Sequence, residues 1–155
     1  MTGSPNTAKT TDTTLTDLAA RLRMAVVRTS RRLRQEAAEG SAELTPTAVS
    51  ALATVERHGP LTPSELANVE RIKRPTATRI LRGLEEAGLV DRSPDPEDGR
   101  SALLSVNGAG RERLRRLRGR KNAFLARRMR DLPAEDLRTL ERAAEILEQI
   151  LERDR

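Results

Sequence analysis

The segment from residue 62 to residue 106 constrains the fold most strongly, because its caps, prolines and glycines set the order of two helices and a hairpin. It opens with TPSE, a capping box from Thr62 to Glu65 with proline at the first helical position, which predicts a short helix. That helix is expected to bury Leu66 and Val69. A second helix begins after a brief turn, and this order is typical of a helix-turn-helix.

The second helix, predicted over residues 73–89, has one apolar face and one polar face. Pro75 fits its first turn, and Gly88 supplies a left-handed stop. The residues that recur at helical spacing and should face a core are Ile80, Leu81 and Leu84. Arginine and threonine on the exposed face are typical of a helix that reads the major groove. The DNA-binding residues predicted in this helix are Lys73, Arg74, Pro75, Thr76, Thr78, Arg79 and Arg82.

Two short extended runs, 89–92 and 101–106, flank the loop SPDPEDGR and predict a β-hairpin. A hairpin directly after a reading helix is a wing. Asp98 and Arg100, near the end of its loop, complete the predicted DNA-binding residues. Leu61 is expected to form a short strand that pairs with the hairpin.

Alternatives remain open for several of these arginines. Arg79 either contacts a base or forms an ion pair with Asp98 or another acid of the wing. Arg82 and Arg92 either bind phosphates or lie on a solvated face. The arginines of the first long helix are likewise either solvated or in reach of DNA phosphates.

The run EEAGLVDRSPDPEDGRSALLSVNGAG resembles the multiple antibiotic resistance regulator (MarR) family of winged-helix transcription factors. The matching positions are Leu84-Glu85, Gly88-Leu89-Val90, Asp98-Gly99-Arg100 and Gly110. Asn107 stands where threonine is usual in the family, although asparagine caps a helix equally well. The turn NVERIK between the two helices lacks the usual glycine.

The resemblance implies a mainly α fold with a small β-hairpin wing, in which N- and C-terminal dimerisation helices flank a winged helix-turn-helix domain. It also implies a transcriptional regulator, expected to be a repressor, that binds a palindromic operator in double-stranded DNA as a homodimer. By resemblance, Arg100 enters the minor groove. A small aromatic or phenolic ligand would release the DNA from a site between the dimer helices and the winged module.

The chain is predicted to form a single domain over residues 12–155, preceded by a disordered tail at residues 1–11. Its winged-helix core spans residues 45–106, and the dimerisation helices span residues 12–38 and 107–153. The last helix has an apolar face that is wide for the edge of a small domain. Burial in a dimer explains that face better than a monomer does.

Charge also divides the C-terminal part of the chain. Residues 111–130 contain ten Arg and Lys against one acid, whereas residues 131–155 contain eight Asp and Glu against four Arg. These two segments are expected to pair either within one chain or between two subunits.

The amino-acid composition limits the classes of molecule that the protein is expected to bind. A net charge of +6 favours a polyanion. One Phe, with no Trp or Tyr, leaves no platform for stacking single-stranded bases, so duplex DNA is the expected partner. The absence of cysteine excludes disulfides and thiolate sensors. No apolar run is long enough for a membrane, and a cytoplasmic location is expected.

No enzymatic function is predicted, because no catalytic group or phosphate-binding glycine loop is found. His58, the one histidine, is interpreted as a partner of a helix dipole rather than a metal ligand, and no cofactor is expected. Two binding alternatives are a non-specific architectural DNA-binding protein and a winged helix that binds another protein. A shaped wing and an Arg/Thr reading face favour the sequence-specific regulator.

A ligand pocket is expected where the first long helix and the helix 107–130 meet the winged module. Arg28, Arg31 or Arg115 would pair with a carboxylate or phenolate there, and Phe124 would supply an apolar wall. The alternative is that these arginines are solvated or bind phosphates.

Overall fold

The computed structural model describes residues 6–38, 44–96 and 101–152, which form helices around one two-stranded hairpin. This confirms the predicted fold class. In chain order, the elements are α1 (Asn6–Ala38), α2 (Pro46–His58), α3 (Pro63–Glu70), α4 (Arg74–Glu86), β1 (Val90–Pro94), β2 (Ala102–Val106), α5 (Gly108–Met129) and α6 (Ala134–Glu152).

Thr-Pro pairs start two of the helices, and the pair at Thr62 confirms the predicted capping box. The Thr45 hydroxyl accepts a hydrogen bond from the backbone N–H of Ala48 at the start of α2. At the start of α3, the Thr62 hydroxyl accepts from the N–H of Glu65, and the Thr62 N–H donates to the Glu65 carboxylate at 2.7 Å. This backbone hydrogen bond, helped by the Thr62 hydroxyl, holds the pKa of Glu65 below its ordinary value.

The main core lies inside the winged module, where α2, α3, α4 and β2 meet. Its largest fully buried side chains are Leu52, Val55, Leu66, Leu81, Leu84 and Leu104. The predicted burial of Val69 is wrong, since half of its surface is exposed. Leu66 and Ala67 face the core, and Val69 lies about 200° around the helix from Ala67, so it points to solvent.

The two strands pair antiparallel, with Val90 opposite Val106 and Pro94 opposite Ala102. Leu61 forms a single-residue bridge to Leu104, and the two residues exchange both backbone hydrogen bonds at 2.9 and 3.0 Å. The short first strand is therefore confirmed. Beyond Val90, every residue of β1 is exposed, so the hairpin projects from the module as a wing.

Helix α1 begins at Asn6, earlier than the start predicted near Asp12, because residues 6–11 contain no glycine or proline to end a helix. The remainder of the predicted tail, residues 1–5, lies outside the described residues. Helix α1 packs along α5. Between these helices, Phe124 is buried with the guanidinium groups of Arg32 and Arg128 each 5.4 Å from its ring centroid.

Helix α6 contributes no buried residue to the described part of the chain. Its large apolar side chains are exposed except that of Leu147, which is half-buried, and those of the first half of α1 are exposed too. The most exposed are Leu15 at 63%, Leu18 at 57%, Ile150 at 52% and Leu151 at 70%. Among the described helices, none is both long and apolar enough to cross a membrane.

Candidate nucleic-acid interface

The turn between α3 and α4 is built without glycine. Arg71 takes the left-handed conformation itself, with φ 53° and ψ 43°. The N–H of Ile72 donates to the carbonyl of Ala67 at 3.0 Å, and the N–H of Arg71 donates to the carbonyl of Asn68 at 3.3 Å, as in a Schellman motif. A left-handed non-glycine residue costs roughly 1–2 kcal/mol, so the surrounding structure must stabilise this turn.

Helix α4 starts at Arg74, after Lys73 in an extended conformation. No side chain caps the first turn, but Pro75 has no N–H and the N–H of Thr76 donates to the carbonyl of Lys73 at 2.9 Å, so it is chiefly the helix dipole that favours an anion at this end. Ala77, Leu81 and Leu84 are buried on the back of the helix, and Ile80 is partly buried.

The predicted reading face is open to solvent. Among the predicted contacts in α4 and at its start, Thr76 is half-buried, and the exposed residues are Lys73, Arg74, Pro75, Thr78, Arg79 and Arg82. The Thr78 hydroxyl donates to the carbonyl of Arg74 at 3.0 Å. This bond fixes the Thr78 rotamer and leaves the hydroxyl oxygen free to accept a hydrogen bond from a ligand. Within the described residues, Arg74 and Arg79 form no ion pair. Among the described residues, no carboxylate competes with a ligand for either guanidinium group.

Arg92 does not fit either alternative offered by the sequence. It donates two hydrogen bonds to Glu85 of α4, at 2.9 and 3.0 Å. The bond from Arg92 lowers the pKa of Glu85, and the same bond raises the pKa of Arg92. This bidentate pair joins the reading helix to the wing. Arg82 pairs with Glu86 at 2.8 Å on an open surface, where such pairs contribute little.

Two predicted wing contacts, Asp98 and Arg100, lie outside the described residues. The described base of the loop is closed by the N–H of Asp95, which donates to the carbonyl of Ser101 at 3.2 Å. The roles of Asp98 and Arg100 therefore stay predictions, as does the ion pair between Asp98 and Arg79.

Asn107 joins three elements at the base of the wing. The side-chain oxygen Oδ1 accepts a hydrogen bond from the N–H of Gly110 and so caps α5. The side-chain nitrogen Nδ2 donates to the carbonyl of Gly88 and to the Asp91 carboxylate, and all three distances are 3.0 Å. The single hydroxyl of a threonine has only one proton to donate and cannot make both of these donations. The end of α4, strand β1 and the start of α5 are thus held together.

A cavity of about 550 Å³ lies between α1, α2 and α5, where the ligand pocket was predicted. Its cationic residues are Arg34, Arg113 and Lys121, and its other lining residues include Ser30, Leu33, Ala37, Val49, Ser50 and Leu117. The predicted lining residues Arg28, Arg31, Arg115 and Phe124 are not among those that line it. Ser30, Leu33, Arg34 and Ala37 share one face of α1, whereas Arg28 and Arg31 fall on other faces. Arg115 pairs with Glu112 instead.

The described residues contain no cluster of three or more His, Cys, Asp or Glu side chains that would hold a metal ion. The chemistry of this surface is that of a basic, hydrogen-bonding helix face beside a projecting hairpin.

Comparison with known proteins gives the same picture. Residues 44–102 match the model of the MarR family. An HTH-type transcriptional regulator of Mycobacterium tuberculosis is 37% identical over 130 residues, which cover 84% of this chain and 90% of that protein. The crystal structure of a transcriptional regulator protein from Pseudomonas aeruginosa superposes with a TM-score of 0.77 at 32% identity, covering 87% of this chain and 94% of that one. A MarR family protein from Bacillus stearothermophilus shares the fold with a TM-score of 0.76 at 23% identity, covering 91% and 97%.

Proposed function

Because the chain belongs to the MarR family of DNA-binding transcriptional regulators, we propose that it binds a palindromic operator as a homodimer and represses transcription until a small ligand releases it. The observation that carries this proposal is the face of α4, where Arg74 and Arg79 are exposed and, within the described residues, form no ion pair. The chain acts as a regulator rather than an enzyme, and its DNA partner places it in the cytoplasm.

The start of α4 supplies the base contacts. Arginine binds O6 and N7 of guanine with two parallel hydrogen bonds, and a good pair of this kind contributes about 1–3 kcal/mol of discrimination. Thr78 lies one turn from Arg74 and contacts the same groove. Lys73 and the positive end of the α4 dipole attract phosphate. Arg100 of the wing reaches the adjacent minor groove.

A second copy of the chain covers the exposed apolar faces of α1 and α6. Leu15, Leu18 and Ile150 each expose more than half of their surface, and burying the exposed part of each stabilises an interface by about 1–2 kcal/mol. The acidic α6 of one subunit also complements the basic α5 of the other. Two reading helices in one dimer require half-sites about 10 base pairs apart, and a dimer bound there excludes polymerase from the promoter.

The cavity between α1, α2 and α5 is the proposed ligand site. Its walls are mostly apolar, and Arg34 and Lys121 offer positive charge to a carboxylate or phenolate. A ligand bound there weakens DNA binding only if it prefers a spacing of the two reading helices that does not fit the operator.

Selection of duplexes from a random library by the full chain, followed by gel-shift titration, tests the proposal. The selected sites should contain inverted repeats. Arg74→Ala and Arg79→Ala should each reduce the preference for the selected duplex over a shuffled one about tenfold or more. Arg127→Ala, which removes an exposed arginine of α5 outside the winged module, is the matched control and should leave that preference unchanged.

Each alternative function has its own result in this experiment. Equal affinity for selected and shuffled DNA would identify an architectural binder. No affinity for either duplex would favour a protein partner.

A further inference from the structure

We propose that Glu70 is a positioning residue for DNA reading. Its carboxylate is held by two hydroxyl groups of α2, and this contact, named here the Glu70 anchor, fixes the left-handed turn at Arg71 and thereby the direction of α4. The inference rests on the proposed function, in which α4 reads the bases.

The Glu70 anchor contacts both oxygens of one carboxylate. The Ser50 hydroxyl donates to Oε2 at 2.9 Å, and the Thr54 hydroxyl donates to Oε1. Ser50 and Thr54 are one helical turn apart on α2, so the two bonds hold the carboxylate at two points and restrict its rotation. Glu70 is the last residue of α3 and directly precedes Arg71. The anchor therefore acts where the backbone leaves the helix.

A second turn in the same module shows why an anchor is needed at Arg71. After α4, the N–H of Gly88 donates to the carbonyl of Glu85 and that of Leu89 donates to the carbonyl of Leu84, the same pattern as at Arg71. Gly88 has φ 66°, which glycine adopts without strain, and Ala87 before it has no side chain that can form such a contact. At Arg71 the residue itself is strained, and Glu70 supplies the missing restraint from outside the turn.

The consequence for binding follows from the length of the connection. Only three residues separate Glu70 from Arg74, the first residue of α4, so a change in the turn tilts the exposed end of the reading helix. Hydrogen bonds to base edges depend on that tilt, whereas attraction to phosphates depends mainly on charge. Loss of the anchor should therefore reduce specific binding and leave non-specific binding largely intact.

The test uses the full chain, a duplex selected from a random library by the wild-type protein, and a shuffled duplex of the same length. Glu70→Ala should lower the ratio of specific to non-specific affinity about tenfold, a fraction of what two hydrogen bonds to a charged group contribute, because only part of their loss reaches the bases. Glu70→Gln should keep the ratio within about twofold of wild type, since its amide can still bond both hydroxyls. Thr54→Val with Ser50→Ala removes the donors from α2 and should reproduce the loss even if Glu70→Ala folds poorly.

A second substitution that restores specific binding distinguishes a positioning role of Glu70 from a role in overall stability. Adding Arg71→Gly to Glu70→Ala should restore the ratio to within about twofold of wild type, because glycine adopts the left-handed turn without an anchor. The matched control is Glu56→Ala, which removes another carboxylate contact between elements, the ion pair of α2 with Arg118 of α5, and should leave the ratio unchanged.

The proposal is overturned if Glu70→Ala keeps the wild-type ratio, if Arg71→Gly does not restore it, or if Glu56→Ala lowers it as much. Failure of the proposed function has a different signature, because the wild-type chain itself would then bind selected and shuffled duplexes equally or bind neither.

Discussion

Gly110 and Gly119 lie in the same helix, and an added methyl group meets opposite surroundings at the two positions. At Gly110, a Cβ atom would lie 2.2 Å from the carbonyl oxygen of Leu89 and 2.6 Å from Cγ2 of Val106. At Gly119, no neighbouring atom of the described residues lies within 4 Å of the added carbon. Among the described residues, α5 therefore packs tightly against the module at Gly110 and leaves open space at Gly119.

Alanine at these positions should change stability in opposite directions. Gly110→Ala must displace backbone and should lower the free energy of unfolding by about 1–3 kcal/mol. Gly119→Ala removes glycine from an exposed helix interior and should raise it by about 0.5–1 kcal/mol. Urea unfolding monitored by circular dichroism gives both values, and each variant serves as the control for the other. A loss of stability at Gly119 would mean that this part of α5 contacts something beyond the described neighbours.

At the scale of elements, the stability that the N-terminal cap of α3 contributes depends on pH. The folded pKa of Glu65 is lowered by the hydrogen bonds from Thr62, so the unfolded chain binds its proton more tightly. The resulting stabilisation is complete well above the unfolded pKa, ordinarily 4.5, and is lost as the pH falls through the lower folded pKa.

Glu65→Gln keeps the hydrogen bond from the Thr62 N–H but removes the titrating group. The variant should be less stable than wild type at pH 7, by about 0.5 kcal/mol because solvent screens this exposed residue, and the difference should shrink as the pH falls below 4.5. Thermal unfolding of both proteins between pH 3 and 7 measures the difference. A difference that stays constant over this range would exclude the carboxylate as its source.

The starts of α2 and α3 could be predicted because each cap bonds to a residue three positions away, so local sequence contains both partners. The Glu70 anchor could not, since it joins residues 16 and 20 positions apart that meet only when α2 packs on α3. The pair between Arg92 and Glu85 likewise needs the hairpin to fold back along α4. The place of the cavity could be inferred from the element order, whereas the identity of its cationic residues depends on which faces of α1 and α5 turn towards it.

At the scale of the whole molecule, the exposed face of α6 predicts how the chain associates. Ile150→Glu places a charge on that face, whereas Gln149→Glu adds the same charge to the neighbouring residue on the polar side. The first change should weaken the proposed dimer at least about thirtyfold, because the burial of two isoleucines, one per subunit, is lost. The second should have little effect. Sedimentation equilibrium of both variants, and of a chain ending at Arg130, measures the association.

A chain without α6 should be monomeric or aggregated. A stable dimer from that shortened chain, or from Ile150→Glu, would contradict the assignment of α6 to the interface.

The contacts of Asn107 and the close packing at Gly110 make the winged module follow the first turn of α5 wherever that helix goes. In the proposed dimer, the distance between the two reading helices is then set by helices that touch no base. The preference for particular bases is set by residues that touch no subunit boundary. The two properties can therefore diverge separately during evolution. Substitutions along α1 and α6 would change the spacing between inverted repeats that the dimer accepts. Substitutions at the start of α4 would change the base sequence of those repeats.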